Sequence, residues 1–412
     1  MVMTPKEPLS QENLIATKNQ PSNATLEAKT HSPSQNFFGS FLQTIKDVFS
    51  DKGVLLLLMI APIIYGFFYP WPYSTEVVNH VPVGIVDQDN TNLSQTIVRY
   101  ASASPQLDTK RFLNEQDAQE AIWSDDDDIA GYMIIPSGLE QQVLSGKAAS
   151  VSVLGNGGYF LLNKNVQMGF LQAVSTVSAG VEIKKSVAQG AYSATAAANT
   201  QAVPLRIIPL YNQTEGYGAY VVPAVAILIL QQTLLMSTAM LIGTWYEQRR
   251  HTASIRGWLG RIAALSMFSF IIGCFYYGWT FELHHYPRGQ NMLGSLLFLL
   301  LFCPTVATLG CVFGLWFRQR ERSIQILIFS SLPMFFVSGY PWPANQLPEF
   351  LQIIRWVIPT TPGINTSVQL NQMGANVAQV ATGFYALAGL WAFYFLLLLL
   401  FRWRTSQSKT AF

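Results

Sequence analysis

Six apolar segments are spaced very unevenly along the chain, and that spacing restricts what it can fold into. The first covers about residues 54–72. The next 146 residues, 73–218, are of mixed composition, and five more apolar segments then crowd into 219–245, 260–281, 292–317, 323–340 and 378–401. A bilayer-crossing helix takes ~20 residues, so each segment is long enough, or nearly so, to span. The plan is an α-helical polytopic membrane protein of six transmembrane helices, with a sizeable folded unit hanging from one membrane face between helices 1 and 2.

Composition agrees with burial in lipid. Half of the 412 residues are hydrophobic and 12% are charged, against about 25% charged in a soluble domain. The net charge of +2 does not point to nucleic acid. Cys274, Cys303 and Cys311 all fall inside apolar segments, which speaks against a disulfide framework.

Charge also sets an orientation, because short loops rich in Lys and Arg stay cytoplasmic. Lys46 and Lys52 precede span one; Arg249, Arg250, Arg256 and Arg261 follow span two; Arg318, Arg320 and Arg322 follow span four; Arg402, Arg404 and Lys409 follow span six. The opposite loops carry only Arg288 and Arg355. Both termini are therefore expected in the cytoplasm and residues 73–218 outside. Residues 1–35 and 405–412 read as cytoplasmic tails. The first is polar and looks disordered, with no apolar core for a cleavable signal.

Residues 36–52 carry apolar side chains at Phe37, Phe38, Phe41, Leu42, Ile45, Val48 and Phe49, one stripe on a helix. The stretch reads as an amphipathic helix in the inner-leaflet interface, or as a cytoplasmic helix packed on a partner. The 73–218 unit alternates in type: strands near Val83–Val86, Leu107–Phe112, Ile129–Ile135 and Ala149–Leu154, with helices at Thr91–Ala101, Glu115–Trp123 and Pro136–Leu144, then one or two long helices over Phe160–Thr200. This predicts an α/β domain. The run Asp125–Asp128 lacks the spaced ligands and glycine turn of a calcium loop and reads as a solvated acidic turn. Asn92 and Asn212 are formal glycosylation acceptors only.

The chain shows no GxSxG, HExxH or CxxC and no GxxxxGK[ST] phosphate loop, so it is not expected to be an enzyme or to hydrolyse ATP by that route. The span interiors hold amides and hydroxyls, such as Gln231, Gln232, Gln325, Ser330 and Ser331, with almost no charge, which weakens an ion-coupled carrier. Between spans five and six, prolines and glycines repeatedly break an apolar stretch over 341–365. Such backbone sits stably only in short re-entrant or interfacial pieces packed on protein.

Three features together make the chain, from about residue 37 to 404, resemble the membrane subunits (permeases) of type-2 ABC exporters, in the branch with a large periplasmic domain between spans one and two. The first is the plan itself, with the outer domain opening on Val81-Pro-Val-Gly-Ile-Val-Asp-Gln-Asp-Asn90. The second is Glu247–Thr252, which is similar to the family's cytoplasmic coupling turn, although His251 stands where the family usually has Gly. The third is Ser338-Gly-Tyr-Pro-Trp-Pro343 with Pro348 and Pro359-Thr-Thr-Pro-Gly-Ile364, similar to the family's outer signature.

The resemblance implies residues in two roles. Glu247, Arg249, Arg250 and Thr252 would couple the chain to an ATPase. Ser338, Gly339, Pro341, Pro343, Pro348, Pro359, Thr360, Thr361, Pro362 and Gly363 would form the outer re-entrant signature. It also implies a bacterial inner-membrane permease that effluxes drugs, lipids or other amphipathic cargo. The permease would work as a dimer with a second copy or paralogue on cytoplasmic ABC ATPase subunits. ATP and Mg would bind on those ATPases and no cofactor on this chain; a periplasmic adaptor is a further partner it admits. An ion-coupled carrier, and a receptor or scaffold with a periplasmic sensing domain, are the alternatives.

Overall fold

The computed structural model describes residues 36–407 apart from 125–127, 191, 193–207 and 290. The expected 1–35 tail, most of the acidic run and the far end of the Phe160–Thr200 stretch therefore lie outside the described residues, as does 408–412.

Five described helices are long and apolar enough to cross a membrane: α2 (Lys52–Tyr73), α7 (Tyr217–Glu247), α8 (Ile255–Leu283), α9 (Met292–Phe317) and the Ala381–Arg404 stretch of the last helix. The segment expected as span five forms a helix, Arg320–Val337, but it is 18 residues long and opens on Arg320, Glu321 and Arg322. Those charges keep it out of the five, so among the described residues five helices qualify by length and composition, one fewer than the six the sequence predicts.

The central helix is α7. Nearly all of its residues are buried, because α9 and Arg320–Val337 close on it. Gly310 and Gly314, four apart on α9, make the approach to α7 close. A Cβ on either would stand 2.7 Å from Thr238 or Ile242. Small residues at this spacing let helices pack by dispersion where lipid supplies no hydrophobic drive.

The bundle has two chemically distinct ends. Lys52, Arg249, Arg250, Arg318 and Arg320 collect at one, the basic end. At the other, ring contacts of 4.9–5.7 Å link Tyr69, Tyr73, Tyr217, Tyr220 and Tyr340 in part. Tyr220 and Tyr340 also bond reciprocally, each hydroxyl donating to the other's carbonyl at 2.8 and 2.7 Å.

Helix α1 (Phe37–Ser50) lies on α8 at the basic end. Its buried face is Ser40, Thr44 and Val48, and Phe38, Leu42 and Phe49 are exposed. The apolar stripe seen in the sequence therefore points mostly away from the protein. Small residues face inward because the contact is tight: a Cβ on Gly260 would come within 2.3 Å of the Phe37 carbonyl.

Between α2 and α7 sits a four-stranded sheet, order β2-β1-β3-β4. It comprises β1 (Val81–Asp87), β2 (Leu107–Phe112), β3 (Gly131–Ile135) and β4 (Ser152–Gly155). Strands β2 and β3 run parallel to β1, and β4 is antiparallel to β3. Helices α3 (Asn92–Ser102), α5 (Leu139–Leu144) and α6 (Phe160–Ala188) cover one face, burying Val83, Ile85, Met133 and Ile135. Helix α4 (Glu115–Ala121) covers the other over Val86 and Tyr132. The alternation of β3 residues between the two cores is the period-2 pattern of a strand covered on both sides.

The opening segment Asp87–Asn90 knits this unit together. Asp87 accepts from the amides of Asp89 and Asn90 and from the Ser94 hydroxyl. Asp89 accepts from the amides of Gly138, Leu139 and Glu140 at 2.7–3.1 Å. Partial burial alone would raise the Asp89 carboxyl, but these donors and the Thr91 hydroxyl hold it below its ordinary value. The chain re-enters the bundle at the tyrosine end, where Glu76 accepts from the Ala219 amide at 2.9 Å.

Candidate functional site

The basic end joins five elements through charged side chains. Helix α7 ends at Glu247 in a Schellman turn: the Arg249 amide bonds the Tyr246 carbonyl and the Arg250 amide the Trp245 carbonyl. Glycine usually occupies the left-handed position of such a turn. Here it is Arg249, at φ 58°, a conformation that costs a side-chain-bearing residue about 1–2 kcal/mol.

Beyond the turn, Arg250 pairs with Asp47 of α1 at 3.0 Å. Asp47 also accepts from the Trp245 indole at 2.7 Å and from Gln43 at 2.9 Å. A second pair sits beside it, where Arg320 forks onto Asp51 and donates to Thr244. Asp51 is already bound by the amides of Gly53 and Val54 at the start of α2. Burial pushes the Asp51 carboxyl upward, but the Arg320 fork and those amides together hold it below the ordinary carboxylate value. The same pairing raises Arg320.

Of the residues implied by the resemblance, Glu247 accepts from the Arg320 amide at 3.2 Å and so caps the helix that follows α9. Arg250 anchors the turn to α1. Arg249 is exposed and Thr252 half-buried. His251, standing where the family usually has Gly, is buried and stacks on Tyr246 at 4.2 Å.

The residue that holds this turn in place was absent from the sequence reading as a site residue. Arg261, in the first turns of α8, is 8% exposed. It donates to the carbonyls of Arg250 and His251 at 3.0 Å each and lies between the rings of Trp245 and Trp258 at 4.3 and 4.8 Å. Carbonyl acceptors and aromatic faces together solvate the guanidinium. The sequence did hold a signal: it is the one charged side chain within 257–281, and such residues are rarely idle.

The outer signature is also brought together. Helix Arg320–Val337 (α10) ends at buried Ser338, whose carbonyl accepts from Arg355 and Asn365 at 3.4 Å. Gly339 needs its left-handed φ of 84°, and a Cβ there would meet Arg355 at 2.6 Å. Pro341, Pro343 and Pro348 then keep the chain in short turns, a single helical turn and a half at Glu349–Ile354 (α11), and a 3₁₀ turn at Arg355–Val357.

From the tyrosine end, at Tyr340, the chain has by now dropped along the bundle to Val357, which accepts from Tyr394 midway along the last helix, α13 (Ala381–Gln407). It then returns as α12 (Thr360–Asn371), buried on nearly every side. Pro359 is the N-cap of α12 and Pro362 lies in its first turn, where amides have no helical partner to lose. Thr360 accepts from Gln231 of α7 at 2.5 Å. Thr361 is fully buried, and Gly363 lets α12 touch Phe302. At the far end Asn291 donates to Ala375 at 2.6 Å, back at the level of the α8–α9 loop.

Among the described residues, no group of three or more His, Cys, Asp or Glu is placed to hold a metal ion.

Comparison with known proteins decides the family. The family model described as ABC-2 family transporter protein matches residues 52–400. The chain belongs to the ABC-2 transporter family. It is similar to the linearmycin resistance permease protein LnrN of Bacillus subtilis (strain 168), at 24% identity over 355 residues, covering 81% of this chain and 90% of that one. This is a membrane transporter family of permease type, whose members are not themselves catalytic and whose transporters include an ATPase.

Proposed function

We propose that the chain is the membrane-spanning subunit of an ATP-driven exporter. It works as a pair, with a second copy or a paralogue, on two ATPase subunits that bind ATP and Mg. The basic end faces the cytoplasm and the ATPases; the tyrosine end and the α/β unit face outward, across the inner membrane of a bacterial cell. Helix α12 and the broken 341–365 stretch form a re-entrant piece on the outer side.

The observation that carries this reading is the wiring of the basic end. Arg250–Asp47, Arg320–Asp51, Glu247–Arg320 and Arg261 tie α1, α2, α7, α8 and α10 to one turn. A push on that turn is therefore delivered to most of the bundle at once. Arg249 and Thr252 remain open on its surface to meet a partner.

Family membership supports the ATPase partner, and the relative's role in resistance to linearmycin supports outward transport of a drug-like or amphipathic cargo. The test is to purify the chain with whatever ATPase accompanies it and compare Glu247→Lys and Arg250→Glu with the wild type. Transport-coupled ATP hydrolysis is expected to fall several-fold with membrane insertion intact; unchanged coupling in both variants contradicts the assignment.

A further inference from the structure

The α/β unit carries a groove that none of the transport machinery uses. It opens between α3, α5 and α6, encloses about 440 Å³, and its floor is aliphatic: Ile97, Leu139, Val143, Val174, Val177 and Val181. Positions 174, 177 and 181 are one stripe of α6 at helical spacing. That stripe continues the domain core, in which Ile97, Leu139 and Val177 are buried, but Val174 and Val181 are left half-covered. No protein segment among the described residues lies over them.

One end of the groove is charged. Helix α5 closes in a Schellman turn, with the Gly146 amide on the Val143 carbonyl and the Lys147 amide on that of Gln142. Gly146 takes the left-handed position at φ 74° and so fixes where Lys147 leaves the chain. From the facing helix, Lys185 brings its ammonium to within 3.7 Å of where a Cβ on Gly146 would stand. The lip thus holds two lysines against one carboxylate, Glu182. None of the three is in an ion pair among the described residues, and the lip carries a net positive charge.

We propose that this groove binds an anionic amphiphile, with its hydrocarbon chain along the α6 valines and its head at Lys147 and Lys185. Methylenes moved from water onto the aliphatic floor favour binding, and the volume falls in the range of small-molecule sites. The charged end selects the sign of the head and the direction in which the chain lies. The inference stands on the groove alone, whichever way the coupling assignment falls.

The test uses the full chain in phosphatidylcholine nanodiscs and a twelve-carbon carboxylic acid with a photoreactive diazirine in its chain. Cross-links mapped by mass spectrometry are expected within residues 139–151 and 174–185, saturable and competed by unlabelled dodecanoate. Val181→Trp, which fills the groove from its half-exposed edge, should abolish them. Lys147→Glu with Lys185→Glu, both at the surface, should reduce them at least fivefold. Labelling of those segments that is unaltered in both variants overturns the proposal, as does labelling confined to the membrane spans. Equal labelling by the methyl ester of the same acid overturns the anionic head.

Discussion

At the scale of single residues, the basic end is governed by where charge is solvated. Arg261 forms no ion pair among the described residues; two carbonyls and two indoles take the place of water. Arg261→Met leaves the carbonyls of Arg250 and His251 without their donor inside the protein, which costs about 1.5–3 kcal/mol for a charged bond. The expected result is a lower melting temperature and greater protease sensitivity after Arg250. Arg261→Lys should recover only part of the loss, since an ammonium cannot reach both carbonyls in the plane of a fork.

Asp51 behaves oppositely. Its carboxyl is held below the usual range, so the pairing contributes stability in full above about pH 4 and is lost as pH falls through the depressed value. Thermal unfolding followed down in pH should show an acid-side loss of stability that Asp51→Asn flattens. Unaltered acid sensitivity in that variant would mean that other carboxylates control it. Arg249→Gly is expected to act the other way, stabilising the turn by about 1 kcal/mol through relief of the left-handed residue, while removing one cation from the partner-facing side.

At the scale of elements, legibility in the sequence divides by period. The α/β unit was readable almost strand by strand because turn residues and alternation mark it locally: Leu107–Phe112 was placed at its observed bounds, and the other strands within a few residues. The spans were readable from apolar length, with one limit. Arg320–Val337 has apolar residues at span-like density, but its first turn carries three charges, Arg320, Glu321 and Arg322, of which Arg320 pairs with Asp51 at the basic end. Which face of α1 would be buried was not readable, because the inward choice of Ser40, Thr44 and Val48 depends on the close approach of a glycine more than 200 residues away. The two halves of the outer signature were visible as prolines and glycines; their meeting through Ser338, Arg355 and Asn365 was not, since nothing local marks a carbonyl shared across 27 residues.

The α1–α8 contact makes a prediction of its own. Gly260→Leu places atoms against the Phe37 carbonyl, which is backbone and cannot swing aside, so α1 must lift. A cysteine at Thr44, which is 1% exposed, should resist a water-soluble maleimide in the otherwise wild-type chain and react readily in the Gly260→Leu background. Equal protection in both would show that α1 is held elsewhere, by Asp47 alone.

At the scale of the whole molecule, one central helix organises everything. Over about 46 Å at 1.5 Å per residue, α7 meets the tyrosine cluster and Glu76 at one end, the start of α12 through Gln231 midway, and Asp47 and Arg320 through Trp245 and Glu247 at the other. The Arg249–Arg250 turn follows directly on the helix that also anchors the outer signature. A force applied at Arg250 therefore has a continuous route to Thr360 and Tyr340, through a helix that is packed along nearly its whole length. The turn at Glu247–Thr252 was marked in the sequence through resemblance; Asp47, Asp51 and Arg261, which hold it, became visible only in three dimensions, because each reaches its partner from a different element.

The central claim is that this turn transmits ATP hydrolysis to transport. The most direct measurement is ATP hydrolysis, with and without cargo, by the complex reconstituted in liposomes, for wild type, Arg250→Glu and the double variant Arg250→Glu with Asp47→Arg, which restores the pair in reverse. The account predicts that the single variant retains its ATPase but loses most of the cargo-dependent hydrolysis, and that the double variant regains a substantial part. Full cargo-dependent hydrolysis in Arg250→Glu would contradict it.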